Sequence, residues 1–427
     1  MFRTFGCKLN FAETASVADI FVSRGHRVAD DGEEPDLIVV NSCSVTAEAD
    51  RKCRSAIRGW HRRFPGAAIV VTGCYAQLKP AEVAGLPGVR AVVGVNDKLR
   101  LPDIAESAVA EAVVADVAPA KTLTEFMPSC SRGDRTRFFL KVQDGCDYWC
   151  SYCTIPMARG RSRSASIPDV VAQARRVAEL SGREIVITGV NIGDFGKGRD
   201  DSFLDLCRAL DEVDGIDRYR ISSIEPNLLT DGIIEFVAGS RRFMPHFHIP
   251  LQSGNDEVLA LMRRRYDTAL FAHKVERIRR LLPDAFIGVD LIVGARGETP
   301  ERFEASKAFV DSLDVSHLHV FPYSERPGTR ALDIDCVVDQ AEKHRRAEQM
   351  MAVSARHHAD FARRFEGTVR PVLLEHSSPG RPLGGFTDNY LRVEADLGPE
   401  ADNTLRPMRL TELLDDGETL RAVPADI

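Results

Sequence analysis

The sequence lacks features that would point to a membrane, an export route or a general affinity for nucleic acid. It has no apolar run of about 20 residues, the length that a membrane-spanning helix requires, so no membrane segment is predicted. Its start, MFRTFGCKLN, lacks the apolar segment of a secretory signal, and we therefore expect a cytoplasmic protein. The formal net charge is −7, so a nucleic-acid partner would have to be held by local basic patches.

Cysteine, by contrast, occurs ten times. Thiols in a chain without an export signal stay reduced, so these cysteines favour metal binding over disulfides. The length of 427 residues is enough for about two to four domains, each with its own core.

Three of the cysteines end predicted strands in the N-terminal region. Strand and helix patterns alternate there, with strands at 1–7, 36–43, 67–74 and 89–96 and helices at 13–24 and 47–63, which predicts a doubly wound parallel sheet. The carboxyl ends of parallel strands meet at one edge of the sheet, so we expect Cys7, Cys43 and Cys74 to converge. The alternative is three separately buried thiols, since free cysteine is among the most buried residue types.

A second strand–helix rhythm begins near residue 138, after a poorly periodic linker. Six strands are predicted, at 137–143, 184–190, 219–224, 246–251, 285–294 and 316–324. Six β/α units are too few for a complete eight-strand barrel, so we predict an open, partial (β/α) barrel. Polar loops follow its strands, on the face where such barrels place their chemistry.

The loop after the first of these strands, GCDYWCSYC, contains Cys146, Cys150 and Cys153. Structural zinc and ordinary iron–sulfur sites use four protein ligands. A [4Fe–4S] cluster held by three thiolates would leave one iron free to bind a small molecule. Zinc stays open as the alternative, with His246 or His248 completing the ligand set.

This loop, inside a six-unit β/α region, resembles that of the radical S-adenosylmethionine (SAM) enzymes, whose cluster binds SAM at the free iron. With the earlier cysteines in GCKLN, NSCSVT and TGCYAQ, nearly the whole chain is similar to the methylthiotransferase family. The resemblance implies an N-terminal domain at 1–113, a linker at 114–131, a radical SAM core at 132–363 and a small TRAM-like RNA-binding β-barrel at 364–427.

The resemblance also implies two [4Fe–4S] clusters and SAM. Cys146, Cys150 and Cys153 would form the catalytic cluster site, and Cys7, Cys43 and Cys74 would hold an auxiliary cluster that provides sulfur. Cofactors are needed because no side chain supplies a radical that can attack an aromatic C–H bond. Contacts to SAM are implied at Thr188, Gly189, Ser223, Glu225, Gln252, Ser253, Gly294 and Gly297. An electron donor such as flavodoxin or ferredoxin is implied as a partner.

Three branches of the family differ in their target. GCKLNFAET and HVFPYSERPGT resemble the branch that methylthiolates C2 of N6-threonylcarbamoyladenosine beside the tRNA anticodon, so the anticodon stem-loop is the implied partner. The branches that modify isopentenyladenosine or a ribosomal-protein aspartate are alternatives. A further alternative is a non-catalytic RNA-binding iron–sulfur protein or an electron carrier. An electron carrier, however, normally binds its cluster with four cysteines, so that every iron has a protein ligand.

Two sets of basic residues are candidates for contact with such a substrate. The anionic threonylcarbamoyl group predicts arginine in its pocket; the candidates are Arg159, Arg161, Arg163 and Arg296. The Ala295-Arg296 pair stands where the family more usually has Phe-Pro. The basic residues of the helix at 47–63 and of the MRRR run at 262–265 could hold RNA phosphates. The alternative is that these charges simply face the solvent.

In the C-terminal region, short strands alternate with turns, which predicts a small β-barrel. Phe386 and Tyr390 could stack on RNA bases, but a place in the core is the favoured interpretation.

Overall fold

The computed structural model describes residues 1–30, 32–110, 117–131, 136–376 and 380–425. The predicted linker and the boundaries on either side of it fall partly on 111–116 and 132–135, which lie outside the described residues, and the last two residues of the predicted C-terminal domain do so too. The domain boundaries therefore stay predictions. Within the described ranges, no helix combines the length and the apolar character of a membrane span.

The N-terminal domain is built on a four-stranded parallel sheet with helices on both faces. Its elements are β1 (Phe2–Thr4), α1 (Lys8–Ser23), β2 (Leu37–Ser42), α2 (Ala47–Arg63), β3 (Ala68–Gly73), α3 (Cys74–Leu78), α4 (Pro80–Ala84), β4 (Val89–Val92) and α5 (Leu101–Ala110). The strands lie in chain order, and their alternate residues point to opposite faces. Ile38 and Val40 pack with α2, whereas Val39 packs with α1 and α5.

Helix α2 begins where its sequence provides a cap. The Thr46 side chain accepts a hydrogen bond from the Ala49 amide at 3.1 Å. Acidic residues occupy the first turn and basic residues the last, which complements the helix dipole. Because these residues favour a helix start and a helix end at these positions, the observed helix has the predicted bounds, 47–63.

The central domain is the predicted partial barrel of six parallel strands. Its elements are β5 (Ser129–Cys130), β6 (Arg137–Lys141), β7 (Gln143–Asp144), α6 (Ile155–Arg159), β8 (Arg163–Ser164), α7 (Ile167–Glu179), β9 (Glu184–Thr188), α8 (Phe203–Asp211), β10 (Arg218–Ile221), α9 (Asp231–Gly239), β11 (His246–Gln252), α10 (Asp256–Leu261), α11 (Thr268–Leu281), β12 (Phe286–Val293), α12 (Pro300–Asp311), β13 (His317–Pro322) and α13 (Gln340–Arg363).

The barrel is made of two sheets that meet at one side. One sheet has the order β10-β9-β6-β5, in which β5 is antiparallel, and the other has the order β11-β12-β13. Parallel bridges from Tyr219 to Phe243 and from Ser223 to His248 join β10 to the second sheet. Among the described strands, β13 has no partner on its outer side, so the barrel is open there.

The C-terminal domain is a closed five-stranded barrel in the order β14-β15-β16-β18-β17. Its strands are β14 (Val369–Glu375), β15 (Leu383–Thr387), β16 (Arg392–Ala395), β17 (Leu405–Leu413) and β18 (Thr419–Pro424). The segment GGFTDNYLRVEAD forms two strands instead of one, because Tyr390 has a φ of +68°. The Thr387 hydroxyl stabilises this turn by accepting from the Leu391 amide at 2.9 Å.

Buried arginines of β10 attach the C-terminal barrel to the central domain. Arg218 donates to the Pro371 carbonyl at 2.7 Å, and Arg220 donates to the Thr387 carbonyl at 2.8 Å. The Arg220 guanidinium also binds the buried Glu184 carboxylate at 2.8 Å. Burial alone would raise the pKa of Glu184, but the arginines outweigh burial and lower it.

The change Arg220→Met would leave the buried Glu184 charge without its main partner. We expect it to lower the free energy of unfolding by about 3 kcal/mol, measured by urea denaturation. The control is Arg421→Met, which removes an exposed pair with Glu412 and should cost about 0–1 kcal/mol. Equal costs for the two variants would contradict this account of the domain junction.

Candidate functional site

The first trio, Cys7, Cys43 and Cys74, lies at the carboxyl edge of the N-terminal sheet. Cys43 directly follows β2, Cys74 directly follows β3, and Cys7 follows β1 as the N-cap of α1. The sheet register aligns these ends, because Ser42 lies opposite Gly73. Helix α1 directs its positive dipole end toward the trio, which favours an anionic group there.

The three thiols of the first trio are close enough to influence one another. Burial raises the pKa of the Cys43 thiol to about 11, and the neighbouring Cys74 and Cys7 thiols add to that increase. Burial also raises the pKa of Cys74. Gly6 permits the close approach: its φ is +105°, and a Cβ there would lie 2.7 Å from the Cys43 Cβ.

The second trio, Cys146, Cys150 and Cys153, lies on the loop between β7 and α6. Burial raises the pKa of Cys146 and of Cys153 to about 12, and each is raised further by Cys150. Gly145 bends the start of the loop: its φ is +71°, and a Cβ there would lie 2.0 Å from the Arg161 carbonyl oxygen.

Hydrogen-bond donors point at the sulfurs of the second trio. The Tyr148 amide lies 3.4 Å from the Cys146 Sγ, and the Ile155 amide lies 3.4 Å from the Cys153 Sγ. The Arg264 guanidinium lies 3.1 Å from the Cys150 Sγ and also pairs with Glu225. Such donors stabilise thiolates, which are the form that binds metal.

The spacing of each trio suits a multi-iron cluster better than a single ion. In the described part of the chain, one set of three or more His, Cys, Asp or Glu side chains has all its ligand atoms within 4.8 Å of one another. This set is His248, Asp290 and His319. Neither trio is that compact, whereas a tetrahedral zinc with Zn–S bonds of about 2.3 Å needs sulfurs about 3.8 Å apart. Three thiolates around a larger cluster leave one corner open, so the donor set fits the predicted [4Fe–4S] groups.

A cavity of about 220 Å³, here called the inter-trio cavity, lies between the loops that carry the two trios. Val45 and Thr46 line it from the loop after Cys43, and Tyr152 and Cys153 line it from the loop of the second trio. Gln252 lines it from the end of β11, with a φ of +68°. The second trio therefore borders this cavity through Cys153, and the first trio reaches it through the residues that follow Cys43.

A buried ion-pair network fixes the two loops relative to each other. Arg159, at the end of α6, donates to Glu13 of α1 and to Asp144 of β7, both at 2.9 Å. Lys141 binds the same two carboxylates, both at 2.7 Å. Burial alone would raise the pKa of Asp144, but Arg159 and Lys141 outweigh it and lower that pKa.

A second link joins the loop after Cys43 to the segment after β13. Arg326 donates to the Ser44 hydroxyl at 2.7 Å and to the Asp50 carboxylate at 2.8 Å. Lys79 also pairs with Asp50, at 3.3 Å. Charged groups thus join the N-terminal and central domains at two places.

The residues predicted to contact SAM lie at the carboxyl ends of the barrel strands. Thr188 ends β9, and a Cβ at Gly189 would lie 3.0 Å from the Gln143 carbonyl oxygen. Ser223 bridges to β11, and Ser253 is fully buried just after it. Their contact with SAM stays a prediction.

The two predicted glycines after β12 are tightly packed. Gly294 has a φ of +71°, and its amide donates to the Glu298 carboxylate at 2.7 Å. Gly297 has a φ of +84° and lies against Leu261. Any side chain at either position would force its neighbours to move.

Three of the four predicted substrate arginines lie together, because the Arg163 guanidinium donates to the carbonyls of Arg159 at 2.7 Å and of Arg161 at 3.1 Å. Arg159 is buried in the network, and Arg163 lies 3.3 Å from Asp144. Arg161 is exposed, and Arg296 pairs with Glu325 at 2.8 Å. None of the four is among the described residues that line the inter-trio cavity, and their contact with substrate stays a prediction.

Several residues of the site were not recognised in the sequence. Arg264 was grouped with a charge run, although it is buried against the second trio. His248 and Asp290, hydrogen-bonded at 2.7 Å, lie on neighbouring strands 42 positions apart. A usable signal was the polar residue inside each of two otherwise apolar strands, HFHIPL and AFIGVDLIVG. Barrel strands are mostly filled by bulky apolar residues, so a polar residue within them points to a functional role.

Comparisons with known proteins agree with this architecture. Residues 1–94 match the model of uncharacterized protein family UPF0004, and residues 140–310 match that of the radical SAM superfamily. A solved structure of the radical S-adenosylmethionine methyltransferase TsrM from Kitasatospora setae has a TM-score of 0.58 and 15% sequence identity, covering 75% of this chain and 72% of that one. This likeness shows the fold alone.

Curated relatives are similar over almost the entire chain. The threonylcarbamoyladenosine tRNA methylthiotransferase MtaB of Bacillus subtilis is 37% identical over 92% of this chain and 89% of its own length. The protein of the same name in Thermotoga maritima is 35% identical over 92% and 90%. The tRNA-2-methylthio-N(6)-dimethylallyladenosine synthase of Syntrophotalea carbinolica is 32% identical over 96% of each chain. With two cysteine trios and this similarity along its length, the chain belongs to the radical SAM methylthiotransferase family.

Proposed function

We propose that the protein is a tRNA methylthiotransferase that inserts a methylthio group at C2 of N6-threonylcarbamoyladenosine beside the anticodon. The observation that carries the proposal is the presence of two three-thiol sites, whose loops, after Cys43 and around Cys153, meet at one cavity. The names of the relatives that are 37% and 35% identical support this substrate. The dimethylallyladenosine activity is named for a relative that is 32% identical, so it is the alternative that a test must separate.

The two trios would have different tasks. Cys146, Cys150 and Cys153 would hold a [4Fe–4S] cluster with SAM at its open corner, and Cys7, Cys43 and Cys74 would hold the auxiliary cluster. When bound, these groups supply the radical, the sulfur and the methyl group that replace the C2 hydrogen. An electron donor such as flavodoxin or ferredoxin and a cytoplasmic location stay predictions.

The protein's own residues position these groups and exclude water. Arg264 lies against the Cys150 sulfur, where its positive charge would stabilise an anionic cluster. Arg159 and Glu13 hold the loops of the two trios together, so the reacting groups keep a fixed separation. Tyr152 and Ile155 provide an apolar wall on the inter-trio cavity.

One face of α2 could receive RNA phosphates. Arg58 and Arg62 are exposed, and their spacing of four residues places them on the same side of the helix. The neighbouring Arg51 pairs with Glu48 at 2.6 Å. Arg51 shares the face of Arg58 and Arg62, but its charge is already paired, so Arg58 and Arg62 carry the available charge of this face.

Removal of one cysteine from each trio should separate the two tasks. We expect Cys146→Ala to abolish cleavage of SAM to 5′-deoxyadenosine, because the site that binds SAM loses a ligand. We expect Cys43→Ala to retain SAM cleavage but to form no methylthiolated tRNA. Each variant should bind about four irons after anaerobic reconstitution, against about eight in the wild type.

The matched control is Cys336→Ala, since this exposed cysteine belongs to neither trio. It should keep the iron content and both activities of the wild type. Methylthiolated tRNA produced by Cys43→Ala would rule out the assigned role of the first trio.

The substrate can be identified from tRNA nucleosides by mass spectrometry. In a strain without the gene, we expect 2-methylthio-N6-threonylcarbamoyladenosine to disappear and its unmethylthiolated precursor to accumulate. Re-expression of the protein should restore it. If the dimethylallyl nucleoside loses its methylthio group instead, the sister activity is correct.

The double change Arg58→Gln and Arg62→Gln should weaken tRNA binding by removing phosphate contacts. The slope of log K against log salt concentration should fall by about 1 to 2, since each contact contributes about 0.7–0.9. Fluorescence anisotropy with an anticodon stem-loop at several salt concentrations measures this slope. Arg51→Gln is the control, and an unchanged slope in the double variant would exclude this face of α2.

A further inference from the structure

A second cavity of about 440 Å³, here called the barrel cavity, lies where all three domains meet. Lys8 lines it from the N-terminal domain, directly after Cys7. His248 and Asp290 line it from the central barrel, and Tyr390 and Arg392 line it from the C-terminal barrel. The volume lies in the range of about 300–1,000 Å³ that small-molecule sites occupy.

Two cations in this cavity, Lys8 and Arg392, feel the carboxylates of Asp290 and Asp416 but contact neither directly. Within the part of the chain that the structure describes, neither the Lys8 ammonium nor the Arg392 guanidinium has a hydrogen-bond or ion-pair partner. Most other basic groups near the site are paired, as Arg264 is with Glu225. Two unpaired cations at one cavity favour an anionic ligand.

Buried ring nitrogens in the same cavity also lack partners. His246 is 6% exposed and His358 is 8% exposed. The Nδ1 atom of each has no hydrogen-bond partner in the described structure. Both atoms are inaccessible in this structure, so a ligand in the cavity would reach either one only after its ring turned.

The cavity also contains carboxylates, which limits how an anion can lie. Asp290 is hydrogen-bonded to the His248 Nε2 at 2.7 Å, and Glu418 lies at the exposed rim. These oxygens can accept hydrogen bonds from N–H or O–H groups. A fitting ligand therefore combines one anionic group with several donors.

The barrel cavity adjoins the inter-trio cavity, because Asp290 and Phe321 line both. Phe321 lies on β13, the open edge of the barrel, and is 49% exposed. A base could therefore enter beside this ring and stack on it. In adenine, C2 and C6 flank N1 and C6 carries N6, so a base with C2 at the inter-trio cavity can extend its N6 substituent into the barrel cavity.

We propose that the barrel cavity binds the N6-threonylcarbamoyl substituent and that Lys8, assisted by Arg392, receives its carboxylate. This inference rests on the proposed function, and it names the residues that determine which substrate the protein accepts. The urea N–H and hydroxyl groups of the substituent match the Asp290 oxygens. The four arginines predicted from the sequence lie outside this lining.

The test compares two anticodon stem-loops that differ only in the threonyl carboxylate. One contains N6-threonylcarbamoyladenosine, and the other contains its neutral carboxamide analogue. Dissociation constants and kcat/KM are measured with the reconstituted wild type and with Lys8→Gln, Lys8→Arg and Arg392→Gln. Lys307→Gln removes a lysine of the outer helix α12 and serves as the matched control.

The wild type should prefer the carboxylate by about 10- to 100-fold, the range expected for a charge-assisted hydrogen bond. Lys8→Gln should reduce the preference to about twofold or less, whereas Lys8→Arg and Lys307→Gln should retain it. Arg392→Gln should reduce it by a smaller factor, since Arg392 lies at the rim. The inference is overturned if Lys8→Gln weakens binding of both RNAs equally, or of neither.

Iron content and 5′-deoxyadenosine formation show whether Lys8→Gln still holds its clusters, because Lys8 adjoins Cys7. If this variant loses iron, Arg392→Gln decides, and an unchanged preference in it overturns the inference. The measured dissociation constants also distinguish a failure of the proposed function from a failure of this inference. A wild type that methylthiolates dimethylallyladenosine RNA instead would remove the proposed function, while equal affinity for acid and amide would remove only the inference.

Discussion

The structure depends on one requirement: the loops that carry the thiols of two domains must meet at the same small cavity. Arg159 and Lys141 meet this requirement by binding Glu13 and Asp144 at about 1% exposure. Buried charges are costly unless they are paired, and removal of one partner leaves an uncompensated charge. The network therefore allows little variation in how the domains dock. It connects α1, which begins at the first trio, to α6, which follows the second.

The two cavities extend this arrangement to the substrate. The inter-trio cavity lies where sulfur and radical would meet, and the barrel cavity provides unpaired charge on the side where the N6 group would lie. The C-terminal barrel lines the barrel cavity and is also attached to the central domain. Arg137 packs over Phe386, with the guanidinium carbon 4.3 Å from the ring centroid, and Tyr390 lines the barrel cavity. Specificity would thus arise where the domains join rather than within one of them.

The sequence was sufficient to predict the parts that follow from local rules. Buried strands that end at Cys7, Cys43 and Cys74 had to share a sheet edge, and the six β/α units could be counted. Interactions between distant residues could not be predicted. Arg264 looked like part of a solvated charge run, and the burial of Arg159 depends on Glu13, 146 positions away. The residues next to Lys8 in the sequence do not indicate that its ammonium group lacks a partner, because this depends on how the three domains pack together.

The most direct test of the central claim is the location of iron in the anaerobically reconstituted protein by anomalous scattering from crystals. The account predicts two separate iron clusters, one bound by Cys7, Cys43 and Cys74 and the other by Cys146, Cys150 and Cys153, with the inter-trio cavity between them. Iron at only one trio, a single zinc ion at either, or a cluster that faces away from this cavity would contradict it.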